Sequence, residues 1–240
     1  CIRDSFYTLS KNKNYVVTGD IGCYTLGFAP PLNCMDVCIC MGGGFSAGMG
    51  MAKSFQREGV TDKVVFGVMG DSTFFHSGMT GAAEIIYNNG RMIPCVLDNR
   101  ITGMTGHQQN PTTGYNLKGD PAAKVDLVAL CKAIGIPRVR VVDPYDLKQC
   151  DAVIKEEVAA EEPSVIISRR PCALLKYVKH KAPLTVDRDA CKSCRMCMKI
   201  GCPAISMQDG KAMIDNTLCT GCGVCEQLCN FGALKASKEE

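Results

Sequence analysis

Eight cysteines in two matching runs dominate the end of this 240-residue chain. The first run reads Cys191-x2-Cys194-x2-Cys197-x4-Cys202-Pro203, the second Cys219-x2-Cys222-x2-Cys225-x3-Cys229-Asn230. Two residues between successive thiolates let one tight loop wrap three corners of a cubic iron–sulfur cluster. A structural zinc ion is the competing use of Cys-x2-Cys spacing, but three cysteines in one such run overfill a tetrahedral site. Disulfides are the other use, and they belong to short secreted chains with small cores. This chain has 17 cysteines, an odd number, and is 46% hydrophobic, so it is neither short nor poor in core material. Cluster ligation in a reducing cytoplasm is therefore the expectation. The cysteine-rich stretch has few aromatic residues, so the clusters would supply much of its folding energy.

The two runs resemble a bacterial-type ferredoxin carrying two [4Fe–4S] clusters, in which each run lends its fourth cysteine to the other cluster. That resemblance implies one cluster on Cys191, Cys194, Cys197 and Cys229, and a second on Cys219, Cys222, Cys225 and Cys202. Gly221 and Gly223 suit a loop whose amides approach sulfide closely. Two details depart from the usual pattern. Four residues, not three, separate Cys197 from Cys202, and Asn230 stands where Pro is usual.

The preceding stretch has a different texture, with short apolar runs alternating with amphipathic ones. Strands are expected at 15–18, 35–40, 63–69, 92–97, 138–142 and 165–168, and helices at 45–57, 78–88, 124–133 and 145–160. A loop rich in Gly, Thr, Asn and Pro fills 100–121. Strand–helix alternation with near-continuous apolar strands predicts a parallel sheet covered on both faces. The expected class is α/β: a three-layer parallel-sheet domain over 1–171, a solvated basic linker over 172–183, and a small α+β ferredoxin-like domain over 184–240.

Gly70-Asp71-Ser72 directly follows one predicted strand, and Asn99 directly follows the next. Both fall at the carboxyl edge of a parallel sheet, where ligands bind. An Asp and an Asn there are hard oxygen ligands suited to Mg²⁺, and glycine with a helix start offers amides to a diphosphate. A turn and a loop in an ordinary α/β protein would read the same on spacing alone, so the neighbouring segments decide. Gly19-Asp20-Ile21-Gly22-Cys23-Tyr24-Thr25-Leu26-Gly27, Cys40-Met41-Gly42-Gly43-Gly44, Gly70 through Gly78 and Leu97 through Gln108 follow in order. Together with the cysteine tail, they closely resemble the C-terminal thiamine-diphosphate (ThDP) region of the indolepyruvate:ferredoxin oxidoreductase alpha subunit, within the 2-oxoacid:ferredoxin oxidoreductases.

The resemblance implies Asp71 and Asn99 as Mg²⁺ ligands, with the Ile101 carbonyl as a third. It implies Gly70, Ser72 and Thr73 along the diphosphate, and Gly22, Cys23, Met41 and Gly42 against the thiazolium or pyrimidine rings. His76 and His107 fall in the same segments as candidate catalytic groups; each reads equally well as a buried, satisfied histidine, and Cys23 as a small core residue. Cys34, Cys38, Cys95, Cys131, Cys150 and Cys172 read as structural thiols. The family's His before its first Phe-Tyr is missing: the stretch here is Cys1-Ile2-Arg3-Asp4-Ser5-Phe6-Tyr7, with Ile2 nearest that position.

The implied activity is coenzyme A-dependent oxidative decarboxylation of an arylpyruvate such as indolepyruvate. ThDP serves as electron sink, and electrons pass singly through the clusters to an external ferredoxin. A sibling enzyme for pyruvate or 2-oxoglutarate, and an electron-transfer subunit without catalysis, are the alternatives. The resemblance places the Glu that activates ThDP in an upstream pyrimidine-binding domain, and it adds a smaller beta subunit as partner. Nothing in these residues reads as that upstream domain, and the start at Cys1 without Met leads us to expect a fragment or processed chain. Glu58 and Glu84 are the in-chain alternatives for that Glu. A net charge of +3 argues against a nucleic-acid partner, no apolar run is long enough for a membrane span, and no signal peptide is read, so the expected location is cytoplasmic.

Overall fold

The computed structural model describes residues 2–160 and 162–236. Cys1 and the side chains of Ile2 and Arg3 lie outside the described residues, and with them the Cys1–Arg3 part of the stretch that lacks the family's His.

Six parallel strands form the main sheet: β1 (Tyr15–Gly19), β2 (Val37–Cys38), β3 (Val64–Gly70), β4 (Met92–Asp98), β5 (Arg138–Val142) and β6 (Ser164–Arg169). Their order is β2-β1-β3-β4-β6-β5. The chain thus winds one way from β1 to β2 and the other way from β3 onward. The carboxyl ends of β1 and β3 flank the reversal, where open α/β sheets bind ligands. Every residue of β4 is buried, as expected for a central parallel strand covered on both faces.

The covering helices are α1 (Ile2–Leu9), α2 (Gly43–Arg57), α3 (Asp71–Thr73), α4 (Met79–Tyr87), α5 (Leu127–Ala133) and α6 (Leu147–Ala159). The core joins Phe45 of α2, Phe66 of β3, Phe74 and Ile167 of β6, all essentially inaccessible to solvent. Asp126 and Asp146 cap α5 and α6, their side chains accepting from backbone N–H groups of the first turn. No described helix is long and apolar enough to cross a membrane.

Four local differences from the sequence reading have physical causes. The predicted strand at 35–40 shrinks to Val37–Cys38, because Asp36 Oδ2 accepts Val17 N–H at 2.8 Å and ends the ladder there. The helix at 124–133 starts only at Leu127, behind its Asp126 cap. The helix expected from Gly78 begins instead at Asp71 and runs through a π turn at Phe74–Gly78 into α4. Helix α1 was not foreseen; it is eight residues long and buries Phe6, Tyr7 and Leu9 against the sheet layer.

The cysteine-rich end forms two small antiparallel sheets. β7 (Leu184–Val186) pairs with β10 (Leu234–Ala236), and β8 (Ile205–Gln208) with β9 (Lys211–Ile214). It packs against the larger unit: Ile200, Val224 and Leu228 join the main core. Gln227 clasps the loop before α6, accepting Leu147 N–H at 3.1 Å and donating to the Tyr145 carbonyl at 2.7 Å. In the basic stretch between the two parts, Lys176, Lys179 and Lys181 are exposed. Arg170 at its start is anchored, bidentate to Asp143 and 4.0 Å above the Tyr145 ring.

Candidate functional site

Strand β3 ends at Gly70 in extended conformation, and Asp71 opens the helix with no side-chain cap before it. The first-turn amides therefore face the carboxyl edge, the arrangement that suits an anionic group. Asp71 is 2% exposed. Its Oδ1 accepts Ser72 N–H at 2.8 Å; its Oδ2 accepts Arg100 N–H at 3.1 Å, the Asn110 amide at 3.1 Å and the Thr112 hydroxyl at 3.3 Å. Burial first, then the nearby Asp98 carboxylate, push the Asp71 carboxyl up to about 6, against those hydrogen bonds. A buried carboxylate held that high is one that a bound cation would stabilise.

Asn99 leaves β4 at the same edge. Its Oδ1 accepts Ile101 N–H at 3.1 Å, and its carbonyl accepts Cys172 N–H at 2.9 Å. Among the described residues, no three His, Cys, Asp or Glu side chains gather as they would around one metal ion. The Asp71 site would draw instead on a carboxylate, an amide oxygen and the Ile101 carbonyl. Hard oxygens of that kind are the ligands that Mg²⁺ takes. Ser72 Oγ lies 2.5 Å from Thr102 Oγ1 and 2.9 Å from Asn110 Nδ2, which pins the helix start to the long loop. Thr102 was quoted within a motif but given no role; Asn110 and Thr112 escaped the sequence reading, their only signal the polar Asn-Pro-Thr-Thr run in a loop leaving the sheet's carboxyl edge.

A second buried carboxylate lies across the switch point. Asp20 follows β1 and has no exposed surface. Its Oδ1 accepts the Tyr24 hydroxyl and its Oδ2 accepts Gly42 N–H at 2.6 Å. Burial raises its carboxyl above the usual aspartate value, against these two bonds. Tyr24 Oη also lies 3.4 Å from Thr73 Oγ1, linking this lobe to the helix start. Asp20 was quoted in a motif but given no role; the repeated Gly-Asp at two strand ends was the signal.

Gly42 caps α2 at φ 84°, and a Cβ there would meet Ser77 Oγ at 2.0 Å. Gly22 is as restricted, since its Cβ would meet the Tyr24 ring at 2.3 Å. Cys23 is half-buried and faces the loop after β4; a Cβ on Gly103 would stand 3.7 Å from its Sγ. Met41 is 47% exposed at the same edge, beside exposed Ile39, Ile21 and Leu26.

Neither histidine is a buried core residue. His76 is exposed in the π turn with Nδ1 3.0 Å from Ser77 Oγ, which donates to the Met41 carbonyl at 3.3 Å. His107 is exposed at φ 62° in the turn closed by the Thr102–Gln108 bridge. Glu58 ends α2, at the sheet's other edge, and Glu84 bonds Asn88 in its own helix; both are exposed and away from the site. Cys34, Cys95, Cys131 and Cys150 are buried, as structural thiols would be, and Cys172 is half-buried. Cys38 is exposed on the edge strand, so it fills no core space.

The tail places cysteines from both runs near one another, though among the described residues no three of them stand close enough to hold one ion. Cys191, Cys194, Cys197 and Cys229 line one cavity. Burial, then the charges of Cys194, Cys229 and Cys191, push the Cys197 thiol up. Burial pushes Cys225 up to about 12, helped by Cys222, Cys202, Cys219 and Cys197. Backbone N–H groups of Ala212 and Ala233 reach Cys191 Sγ at 3.5 Å and Cys229 Sγ at 3.3 Å, the bonds that cluster thiolates accept. The extra residue before Cys202 is absorbed by a 3₁₀ turn at Met196–Ile200, closed by Gly201 at φ 67°.

Residues 20–168 match the family described as thiamine pyrophosphate enzyme, C-terminal TPP binding domain, and residues 212–235 match the 4Fe-4S binding domain. The chain is 37% identical to the indolepyruvate oxidoreductase subunit IorA of Pyrococcus horikoshii, over 99% of this chain and 39% of that protein. To the Methanothermobacter thermautotrophicus subunit of the same name it is 35% identical, over 90% of this chain and 34% of that protein. It thus spans well under half the length of these relatives. Among solved structures, 2-oxoglutarate:ferredoxin oxidoreductase from Magnetococcus marinus, with 2-oxoglutarate, coenzyme A and succinyl-CoA bound, shares the fold. The TM-score is 0.58 at 18% identity, over 74% of this chain and 62% of that one. Benzoylformate decarboxylase from Polynucleobacter necessarius gives a TM-score of 0.50 at 17% identity, over 71% of this chain and 33% of that one. With the diphosphate edge and the cysteine tail both matched, the chain belongs to the thiamine pyrophosphate enzymes, as a C-terminal TPP-binding domain joined to a 4Fe–4S binding domain.

Proposed function

We propose that this chain is the ThDP-binding and electron-transfer part of a 2-oxoacid:ferredoxin oxidoreductase, acting on arylpyruvates with coenzyme A as co-substrate. One observation carries the reading: a buried carboxylate at the sheet's switch point and two runs of four cysteines occur in one polypeptide. Either feature alone would suit many functions.

In this reading, bound ThDP supplies a nucleophilic carbon and an electron sink for decarboxylation of a 2-oxoacid. Asp71, Asn99 and the Ile101 carbonyl hold Mg²⁺ against the diphosphate. Gly70, Ser72 and Thr73 present amides and hydroxyls to the same group. Asn110 and Thr112 keep the Asp71 carboxylate aimed by bonding the oxygen that Ser72 N–H does not take. Asp20 orients Gly42 and Tyr24, and so shapes the floor beneath the cofactor rings, with Gly22, Cys23 and Met41 along it. His76, coupled to the Met41 backbone through Ser77, and His107 are the proton-handling candidates. The eight tail cysteines would hold two [4Fe–4S] clusters, which would supply one-electron acceptors.

Exposed Ile21, Leu26, Ile39 and Met41 at the site's rim suit cover by a pyrimidine-binding domain, which would bring the activating Glu. Activity would then require that domain and the beta subunit. The test is a substrate panel on the reconstituted complex with coenzyme A, following ferredoxin reduction. Indolepyruvate or another arylpyruvate should exceed pyruvate and 2-oxoglutarate by at least about tenfold in kcat/KM. Preference for pyruvate or 2-oxoglutarate would replace the substrate assignment. Reduction with no 2-oxoacid, together with no saturable Mg-ThDP binding, would leave an electron carrier only.

A further inference from the structure

The two cysteine sets differ in burial and in charge, and the difference gives electron flow a direction. On the second set, Cys202 and Cys222 pack against the core of the larger unit. Cys222 stands close enough to Tyr145 for its charge to be felt there. Tyr145 lies under Arg170, and Cys172, two residues further on, donates its N–H to the Asn99 carbonyl at the candidate metal site. Cys202 and Cys222 thus lie on the side of the tail that meets the larger unit. On the first set, Cys194 is exposed, as are Lys192, Ser193 and Arg195 around it.

The loops around the two sets carry opposite charge. Between Cys191 and Cys202 stand Lys192, Arg195 and Lys199, all exposed, with no acidic residue. Between Cys219 and Cys229 the only charge is Glu226, also exposed. The nearby cations Arg188 and Lys235 are matched by Asp209 and Asp187 at 3.7 Å, and Lys211 is held by the Cys191 carbonyl at 2.6 Å. Among the described residues, no ion pair to Lys192, Arg195 or Lys199 compensates the charge of the loop itself. Phe231, 48% exposed, lines the first set's cavity and offers an apolar contact within the basic rim.

We infer that electrons leave this chain from the cluster of Cys191, Cys194, Cys197 and Cys229, into an acidic iron–sulfur carrier protein docked on the Lys192–Lys199 loop. The inference rests on the function proposed above for its electron source. In the step itself one reduced cluster on this chain loses one electron and the carrier's oxidised cluster gains it. No bond forms or breaks. Complementary charge acts mainly on the encounter rate, and its effect fades as salt screens it.

The test bypasses the 2-oxoacid reaction. The assembled complex is reduced with a stoichiometric amount of dithionite and mixed in a stopped-flow instrument with an oxidised acidic ferredoxin. Lys192→Glu combined with Arg195→Glu should lower the second-order rate at least tenfold at about 10 mM ionic strength, where the Debye length is roughly 30 Å, and the gap should close near 1 M. Electron transfer to a small uncharged quinone should stay within twofold, and Glu226→Lys should leave the ferredoxin rate unchanged. If the charge-reversed protein loses iron, Lys192→Gln with Arg195→Gln should still slow the ferredoxin step in a salt-dependent way. An unchanged ferredoxin rate in an iron-replete variant, or a larger effect from Glu226→Lys, overturns the assignment. Because dithionite supplies the electrons, failure of the arylpyruvate reading would show in the substrate panel and not here.

Discussion

Asn110 donates its side-chain amide to Asp71 Oδ2 at 3.1 Å, and this bond closes the long loop after β4 over the candidate metal carboxylate. The same nitrogen lies 2.9 Å from Ser72 Oγ, while Asn110 Oδ1 accepts Thr112 N–H at 2.9 Å. One side chain therefore sets both the aim of the carboxylate and the course of the loop. Asn110→Ala should weaken Mg-ThDP binding roughly ten- to hundredfold, the equivalent of one hydrogen bond to a charged group, about 1.5–3 kcal/mol. Calorimetric titration with ThDP and Mg²⁺ measures it, and the iron content serves as the control. Affinity within twofold of the unaltered protein would uncouple the loop from the site.

Gly42 is where backbone geometry and space both exclude a side chain. At φ 84° an L-residue costs about 1–2 kcal/mol, and the new Cβ would also overlap Ser77 Oγ. Ser77 cannot simply rotate away, because its Cβ too would lie only 2.7 Å from the new atom. Gly42→Ala should therefore destabilise the chain by about 2–3 kcal/mol and abolish saturable ThDP binding. Gly50→Ala is the comparison: nothing lies within 4 Å of its Cβ, so its stability should be unchanged or slightly raised. Urea denaturation of both variants decides; equal midpoints would mean that the Asp20–Gly42 contact tolerates a shift.

Features that depend on local pattern were legible in the sequence. Thiolate spacing marks the tail, and Gly70-Asp71 and Asn99 mark two strand ends, because cluster loops and strand-end turns are short-range geometry. The crossed cysteine sets came from resemblance; in the folded chain Cys191, Cys194, Cys197 and Cys229 line one cavity. Contacts made across the fold were not legible. Asn110 reaches Asp71 over 39 residues, and Asp20 meets Gly42 over 22; no periodicity reports such pairings. Helix α1 was missed because eight residues carry too little pattern to separate a helix from a loop, and tertiary burial of Phe6 and Leu9 decides it. The burial of the two histidines was not legible either. A motif position says nothing about burial, and both are exposed.

Glu157 ties α6 to β5 at the edge away from the site. Its carboxylate accepts Arg138 Nε at 2.8 Å, Arg138 Nη2 at 3.0 Å and Arg140 Nη1 at 2.9 Å. Burial alone would raise this carboxyl; the two guanidinium groups outweigh it and hold it below the usual glutamate value. A depressed carboxylate stabilises the fold fully above its unfolded value of 4.5, and the contribution fades as pH falls through the folded value. Both arginines are about one-third exposed, so solvent screening reduces the gain. Glu157→Gln should cost about 2 kcal/mol at pH 7, and the difference should shrink below about pH 4. Denaturation midpoints at the two pH values test this; a gap that is constant with pH would assign the loss to packing.

The crossed cysteine sets predict which ligand removal damages which cluster. Cys197 and Cys202 are close in sequence but are expected in different sets: Cys197 lines a cavity with Cys191, Cys194 and Cys229, and Cys202 is not among its lining residues. Anaerobically purified protein should hold about eight iron and eight sulfide, as two cubane clusters require. Cys229→Ser should disturb the outer cluster of the Cys191 loop, and Cys202→Ser the inner cluster of the Cys219 loop, each leaving one spectroscopically normal cluster. Asp71→Ala, in the other unit, should lose Mg-ThDP binding with no change in iron. The two serine variants should also separate functionally. Loss of the outer cluster should block ferredoxin reduction while substrate-driven reduction of the inner cluster survives, because the inner set packs against the cofactor-binding unit. Electron paramagnetic resonance of the reduced proteins, paired with iron and sulfide analysis, reads both effects. Stoichiometric zinc without sulfide would refute the cluster assignment. Loss of the inner signal on Cys229→Ser would show that the ligands do not cross between the runs.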